Sequence, residues 1–402
     1  MFANNIPVED FANRIAYCQQ EAAARGLSGL MVWSRGGGAF DRYADVDYLA
    51  NYYQQRCYLP DNPPFWSGRS HCVLLIPPTS APVLLVSSPE YQEHLITVKD
   101  VRFSPDLPRL CFETLKELGM ADGNIGLIGG DVLPYSLSTR LNEYLPELTL
   151  TPMDFLLSTI RSVKTEREQE SIREAARIGS KAMDILMRNV SADKTESEVI
   201  APAIEYIISQ GAVLYFVVTN SGSKAYFAHS SDFPGYDHVN KLENGDLFKV
   251  DLIIAYEGYL SDFGRTTVVG GEATAIQRDM LNLVTAACEH VIKQIEPGRL
   301  VKNLCQSGDQ FLLDHGVGFS SVQTDPNVTY AAYPPHWGHG LGMTWEQPYF
   351  TSEEEVIIQA GMCIAIEKAL YRQDVGTVFF EQNLLVTETG IELLTTTEKI
   401  WI

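Results

Sequence analysis

Positive charge is scarce in this chain of 402 residues, where 30 lysines and arginines face 51 aspartates and glutamates for a formal net charge of −21. Nucleic acid and anionic membrane surfaces repel such a protein and are excluded as expected partners. Cysteine is sparse and unpatterned: the seven at positions 18, 57, 72, 111, 288, 305 and 363 are odd in number and form no Cys-x-x-Cys. That spacing offers neither a disulfide framework nor a zinc knuckle and predicts a reducing, cytoplasmic setting. No apolar run approaches membrane-span length, and the first residues, Met1-Phe-Ala-Asn-Asn-Ile-Pro-Val-Glu-Asp10, lack a basic region followed by an apolar one. The absence of Gly-x-Ser-x-Gly and His-Glu-x-x-His removes the serine-hydrolase and HExxH-protease readings. Gly36-Gly37-Gly38 lacks the Gly-x-Gly-x-x-Gly spacing of a dinucleotide loop and reads as a flexible connection.

What is present is an unusual placing of acids. Residues 247–255 and 259–269 are β-branched and aromatic, with Glu257-Gly258 between them as a tight turn. A two-residue loop there sets Ala255 opposite Leu260 and Ile253 opposite Asp262, so Asp251 and Asp262 become diagonal neighbours on one face. Buried carboxylates need a basic partner, a proton or a metal ion. Lys249, on the same face as Asp251 by period two, and Arg265 leave a salt-bridged ribbon open beside a metal site. A second ribbon, 361–371 and 378–387 with a polar loop around Asp374, sets Glu367 opposite Glu381. Like charges directly opposite one another destabilise a sheet, so two ribbons of this kind ask for a cation between them. Ahead of the second ribbon lies Trp337-Gly-His-Gly-Leu-Gly342, whose glycines let the backbone approach closely and present His339.

The remainder divides into an α/β first domain, 1–157, and a second domain, 158–402. In the first, the pattern predicts a helix over 8–25, a strand at 30–33, a long loop over 41–67, a hairpin from 72–76 and 83–86, helices near 107–119 and 136–145, and strands at 125–129 and 147–151. It holds no cluster of ligand-type residues. In the second, Thr165-Glu-Arg-Glu168 and Thr195-Glu-Ser-Glu198 are capping boxes that open helices. Helices over 274–296 and 299–315 follow the first ribbon. The order helix, helix, irregular segment, acidic ribbon thus occurs twice and suggests two halves related by an internal pseudo-twofold.

With these motifs the chain resembles the family that contains methionine aminopeptidase, Xaa-Pro aminopeptidase, prolidase and creatinase. The resemblance covers roughly 158–395 and, less specifically, the first domain. It implies an α+β fold: an N-terminal creatinase-like α/β domain followed by a pita-bread catalytic domain. It also implies that Asp251, Asp262, His339, Glu367 and Glu381 hold two divalent metal ions, with manganese, cobalt, zinc and iron(II) all open. A metal-bridging hydroxide would then cleave an amide C–N bond while Glu367 shuttles the proton to the leaving nitrogen. The histidine that helps hold substrate in the family best matches His229, with His238 competing, and His336 is expected off the inward side. The resemblance further implies a homodimer in which the 41–67 segment reaches toward the partner's pocket.

Two positions depart from the family. Seven residues after His339, where the peptidases carry a second histidine, stands Glu346, a candidate catalytic carboxylate suited to a cationic or N–H-bearing substrate group. Two residues before Glu381, where the Xaa-Pro members carry an arginine, stands Phe379. The whole-chain layout favours an Xaa-Pro dipeptide or peptide as substrate, and Glu346 and Phe379 disfavour it. The alternative is a small metabolite, as in relatives that open ectoine-like amidines, cleave creatine or eliminate from dimethylsulfoniopropionate.

Overall fold

The computed structural model describes residues 6–36, 44–54, 60–62, 64–222, 225, 236–319 and 330–402. They form two compact units, Met1–Ile160 and Arg161–Ile402.

The first unit runs α1 (Val8–Ala24), β1 (Leu30–Arg35), α2 (Ala44–Ala50), β2 (His71–Ile76), β3 (Val83–Val86), β4 (Asp100–Phe103), α3 (Leu107–Glu117), β5 (Asn124–Ile128), α4 (Tyr135–Tyr144) and β6 (Thr149–Pro152). Its sheet has the order β4-β3-β2-β1-β5-β6. The strands are nearly continuous apolar runs because helices cover them, and Met31, Trp33, Val73, Leu75, Leu115 and Leu141 share one core. The stretch 41–67 is not the continuous loop expected from its polar composition. Ala44–Ala50 is a short helix with Val46, Tyr48 and Leu49 buried, so apolar burial overrides weak local propensity there. Other parts of that stretch, 41–43, 55–59 and residue 63, lie outside the described residues.

A helix over Asp154–Ser162 (α5) crosses the division between the units. The second unit continues with α6 (Glu166–Asn189) and α7 (Glu196–Ser209), each opened by a complete capping box. Then come β7 (Val213–Ser221), β8 (Leu247–Tyr256), β9 (Tyr259–Val268), α8 (Ala275–Ile292) and α9 (Val301–Asp314). The chain ends through β10 (Val317–Phe319), β11 (Tyr330–Tyr333), β12 (Gly338–Leu341), β13 (Trp345–Tyr349), β14 (Cys363–Arg372), β15 (Gly376–Thr387) and β16 (Gly390–Leu393). Strands β7-β8-β9 form one sheet, and β14 anchors another, pairing with β11, β12 and β15. Each half has its own apolar core, α6 and α7 against the first sheet and α8 and α9 against the second. The repeated order of helix pair and acidic ribbon is therefore a repeated packing unit. Among the described residues no helix is long and apolar enough to cross a membrane.

Both ribbons have the register that the spacing predicts. Ile253 pairs with Asp262 and Ala255 with Leu260, across a turn in which Glu257 (φ 49°) and Gly258 (φ 86°) are both left-handed. Glu367 pairs with Glu381. Polar side chains stitch β9 to β15. Asn383 Oδ1 accepts from Asp262 N–H at 3.0 Å and from Ser261 Oγ at 3.1 Å, while its Nδ2 donates to the Asp262 carbonyl. Farther along, Phe379 N–H donates to Thr266 Oγ1 at 2.8 Å, and Arg265 donates to the Glu381 carbonyl and to Gln382 Oε1.

Candidate metal centre

These stitches bring the two acidic faces together. Asp262, His339 and Glu381, all buried, each offer a ligand atom within 4.8 Å of the other two. Glu367 is paired with Glu381 and Asp251 shares the face of Asp262, and the charges of both act on Asp262 and Glu381. Burial, and then the neighbouring acids, push the carboxyls of Asp262 and Glu381 well above the usual range. Among the described residues Asp262 Oδ1 is buried with no hydrogen-bond donor.

The two basic candidates separate. Arg265 lies opposite Val250, on the other face from the acids, and spends its guanidinium on backbone carbonyls and Gln382. Burial pulls it down to about 9, so it stays charged at neutral pH. Lys249 shares the face of Asp251; burial lowers its ammonium to about 7, opposed by Asp251. One buried lysine cannot neutralise four converging carboxylates, and the donor set of oxygens plus one imidazole fits divalent transition ions.

His339 has a ring nitrogen that could serve as a ligand. Its Nδ1 lies 3.0 Å from the Gly340 carbonyl, which can only accept, so Nδ1 carries the proton and Nε2 keeps a free lone pair. Nε2 is 3.6 Å from Asp262 Oδ2, and burial lowers the imidazole to about 4. The flanking glycines are required by close approach. A Cβ on Gly338 would lie 1.9 Å from the Ala365 carbonyl, and one on Gly340 2.2 Å from that of Gln347. Behind His339, Lys368 Nζ donates to the carbonyls of Pro334 and His336 and sits 4.2 Å from the Trp337 ring centroid.

The remaining candidates fare differently. Glu346 does not offer its carboxylate to the cluster. Oε1 accepts from Arg161 at 2.6 Å and from Met343 N–H at 3.1 Å, while Oε2 accepts from Lys164 at 3.0 Å. Burial pushes this carboxyl up, but the two cations outweigh it and hold it below the usual range. The physical reason is strand alternation: Glu346 pairs with Gly340 and so points to the face opposite His339, where its carboxylate lies against Gly342. The side chain brought to the acids is that of the preceding residue, Trp345, whose Nε1 lies 2.5 Å from Asp262 Oδ2. Phe379 fills the place of the expected arginine with a ring packed on Gly264, where a Cβ would meet it at 2.1 Å. His336 approaches the cluster, with Nδ1 3.5 Å from Glu367 Oε1. His238 is exposed, and His229 lies outside the described residues. Arg161, Lys164, Trp345 and Asn383 were not singled out from sequence. Only Trp345 carries a local signal, an aromatic beside the position where the family motif calls for histidine.

Comparison with known proteins bears on the family and the fold. The model of metallopeptidase family M24 matches residues 170–388, and that of the creatinase/prolidase N-terminal domain matches residues 14–163. An Xaa-Pro dipeptidase of Pyrococcus furiosus is 27% identical over 292 residues, covering 72% of this chain and 78% of the relative. An uncharacterized peptidase of Staphylococcus aureus is 30% identical over 253 residues, 61% of this chain and 66% of the relative. Among solved structures, a prolidase from Pyrococcus horikoshii superposes with a TM-score of 0.78 at 21% identity, covering 97% of this chain and 100% of the other. An X-Pro aminopeptidase from Thermotoga maritima gives 0.76 at 20% identity, covering 95% and 97%. These two structures share the fold of the whole chain. With a family model spanning more than half of its length, the chain belongs to metallopeptidase family M24.

Proposed function

We propose that the protein is a two-metal hydrolase that cleaves the amide bond before proline in a dipeptide or at a peptide N-terminus. The observation that carries this reading is the convergence of Asp262, His339 and Glu381 in a buried, carboxylate-rich cluster of a chain similar to Xaa-Pro dipeptidases. Asp251, Asp262, His339, Glu367 and Glu381 would hold the ions. Bound there, divalent ions supply a nucleophile from water at neutral pH and polarise the substrate carbonyl. Glu367 takes a proton from the attacking water and gives it to the departing nitrogen, so the amide C–N bond breaks as the new C–O bond forms. His229 would steady the substrate. The ions are drawn from manganese, cobalt, zinc and iron(II).

A second reading is favoured by two particular observations. Glu346 is neutralised from within, and Phe379 presents a ring in place of a guanidinium. Both changes remove polar groups that Xaa-Pro members use, and a small non-peptide substrate with a C–N bond, such as a cyclic amidine, suits the altered pocket. A panel of Xaa-Pro dipeptides, creatine, an ectoine-like amidine and a sulfonium propionate, assayed with manganese, cobalt and zinc, separates the two. Efficient turnover of Ala-Pro supports the peptidase reading. Turnover of the amidine with Ala-Pro untouched overturns it.

The buried, free state of Cys18, Cys72, Cys111, Cys288, Cys305 and Cys363 suits a cytoplasmic enzyme. A homodimer follows from the resemblance, and sedimentation equilibrium tests it.

A further inference from the structure

Trp345 opens β13 paired with Leu341, which puts it on the face of His339 while Glu346, paired with Gly340, faces away. Its indole touches both kinds of candidate ligand. Nε1–H donates to Asp262 Oδ2 at 2.5 Å, and the ring stands edge-on to His339, with centroids 6.2 Å apart and planes at 86°. From the other side β7 braces it: Tyr215 lies 5.8 Å away at 90° and Phe216 6.5 Å away at 86°. Asp262 is thereby held at two points. Asn383 fixes its backbone through the N–H and the carbonyl, and Trp345 fixes one carboxylate oxygen. The other oxygen, Oδ1, has no donor among the described residues.

An N–H bond to a carboxylate is charge-assisted and directional, so it restricts rotation about the side-chain torsions of the aspartate. A ligand already oriented loses less entropy when a cation arrives, which is why the hydrogen-bond partners of metal ligands contribute to affinity. We infer that Trp345 is a positioning residue of the metal centre, its indole N–H holding Asp262 ready for a divalent cation and its ring fixing the imidazole of His339. The inference rests on the reading of Asp262 and His339 as ligands, and it adds a donor from the strand that the family motif reserves for a histidine.

The test titrates metal-free wild type, Trp345→Phe and Asp262→Asn with Mn²⁺ alone by calorimetry. Phenylalanine keeps a ring against Tyr215 and His339 but has no donor. Trp345→Phe is expected to bind Mn²⁺ about 10- to 100-fold more weakly, with the melting temperature of the metal-free protein unchanged. Equal Mn²⁺ affinity in wild type and Trp345→Phe overturns the inference while leaving the metal reading intact. Failure of the wild type to bind Mn²⁺ overturns the metal reading itself, and the inference with it. Should Trp345→Phe not fold, ¹⁵N-indole spectra of the wild type decide. Movement of the indole N–H signal bonded to Asp262 on addition of Zn²⁺ supports the role, and five unmoved indole signals in a zinc-loaded protein contradict it.

Discussion

Glu346 and the pair Asp262 and Glu381, all buried in the second unit, answer burial in opposite ways. Glu346 has its countercharge in the polypeptide, with Arg161 at 2.6 Å and Lys164 at 3.0 Å, and its carboxyl is held below the usual range. Asp262 and Glu381 face mainly other acids, and theirs are pushed well above it. The same desolvation acts on both, so the difference lies in the company. A carboxylate with a protein cation is a structural tie. Carboxylates gathered without enough of them are the site we propose for cations from solution.

The sharpest way to break that contrast is to remove a charge from the second group. Asp262→Asn and Glu381→Gln are each expected to lower metal-dependent kcat/KM by about a thousandfold or more, because the ions contribute several kcal/mol to the transition state. Neutralising the first group acts on stability instead. Glu346→Gln leaves Arg161 and Lys164 buried without their anion and is expected to cost about 3–5 kcal/mol in denaturant unfolding, with Mn²⁺ affinity changed less than severalfold. Glu346→His strands the same two cations, so it is expected to destabilise the protein and not to raise its turnover of Ala-Pro. Asn383→Ala removes an acceptor from Asp262 N–H and Ser261 Oγ and is expected to cost about 1–3 kcal/mol. It tests whether the joint between ribbons is separable from the acids it carries.

The pH dependence sharpens the comparison further. A carboxyl held low in the folded state leaves the unfolded chain binding more protons as pH falls through about 4.3, the ordinary glutamate value. The Glu346 contribution is therefore present above that pH and lost as pH drops through the lower folded value. The difference in melting temperature between wild type and Glu346→Gln is expected to be full at pH 7 and to shrink below about pH 4.

Much of the site was legible because sheet periodicity is strict. Side chains alternate with period two, and turn residues set the register, so Glu257-Gly258 fixes Asp262 opposite Ile253 and the loop near Asp374 fixes Glu367 opposite Glu381. Glycines around His339 announced a close approach that the backbone makes to β13 and β14. Sequence reading failed at β13, which was not recognised as a strand. Counting seven residues from His339 leads to Glu346, but Glu346 pairs with Gly340 and faces away, while Trp345, paired with Leu341, takes the inward position. The partners of Glu346 stand 185 and 182 residues before it, at the end of α5 and just beyond, and no local pattern links them. Period two places Lys249 on the face of Asp251, and Arg265, the other basic candidate, lies opposite Val250 on the other face.

Metal analysis of freshly purified protein, repeated after dialysis against a chelator, bears most directly on the claim that the converging acids exist to hold cations. Two divalent ions per chain, with ions and activity lost together in chelator and restored by manganese, is the expected result. Fewer than one ion per chain, with activity unimpaired in chelator, would contradict it.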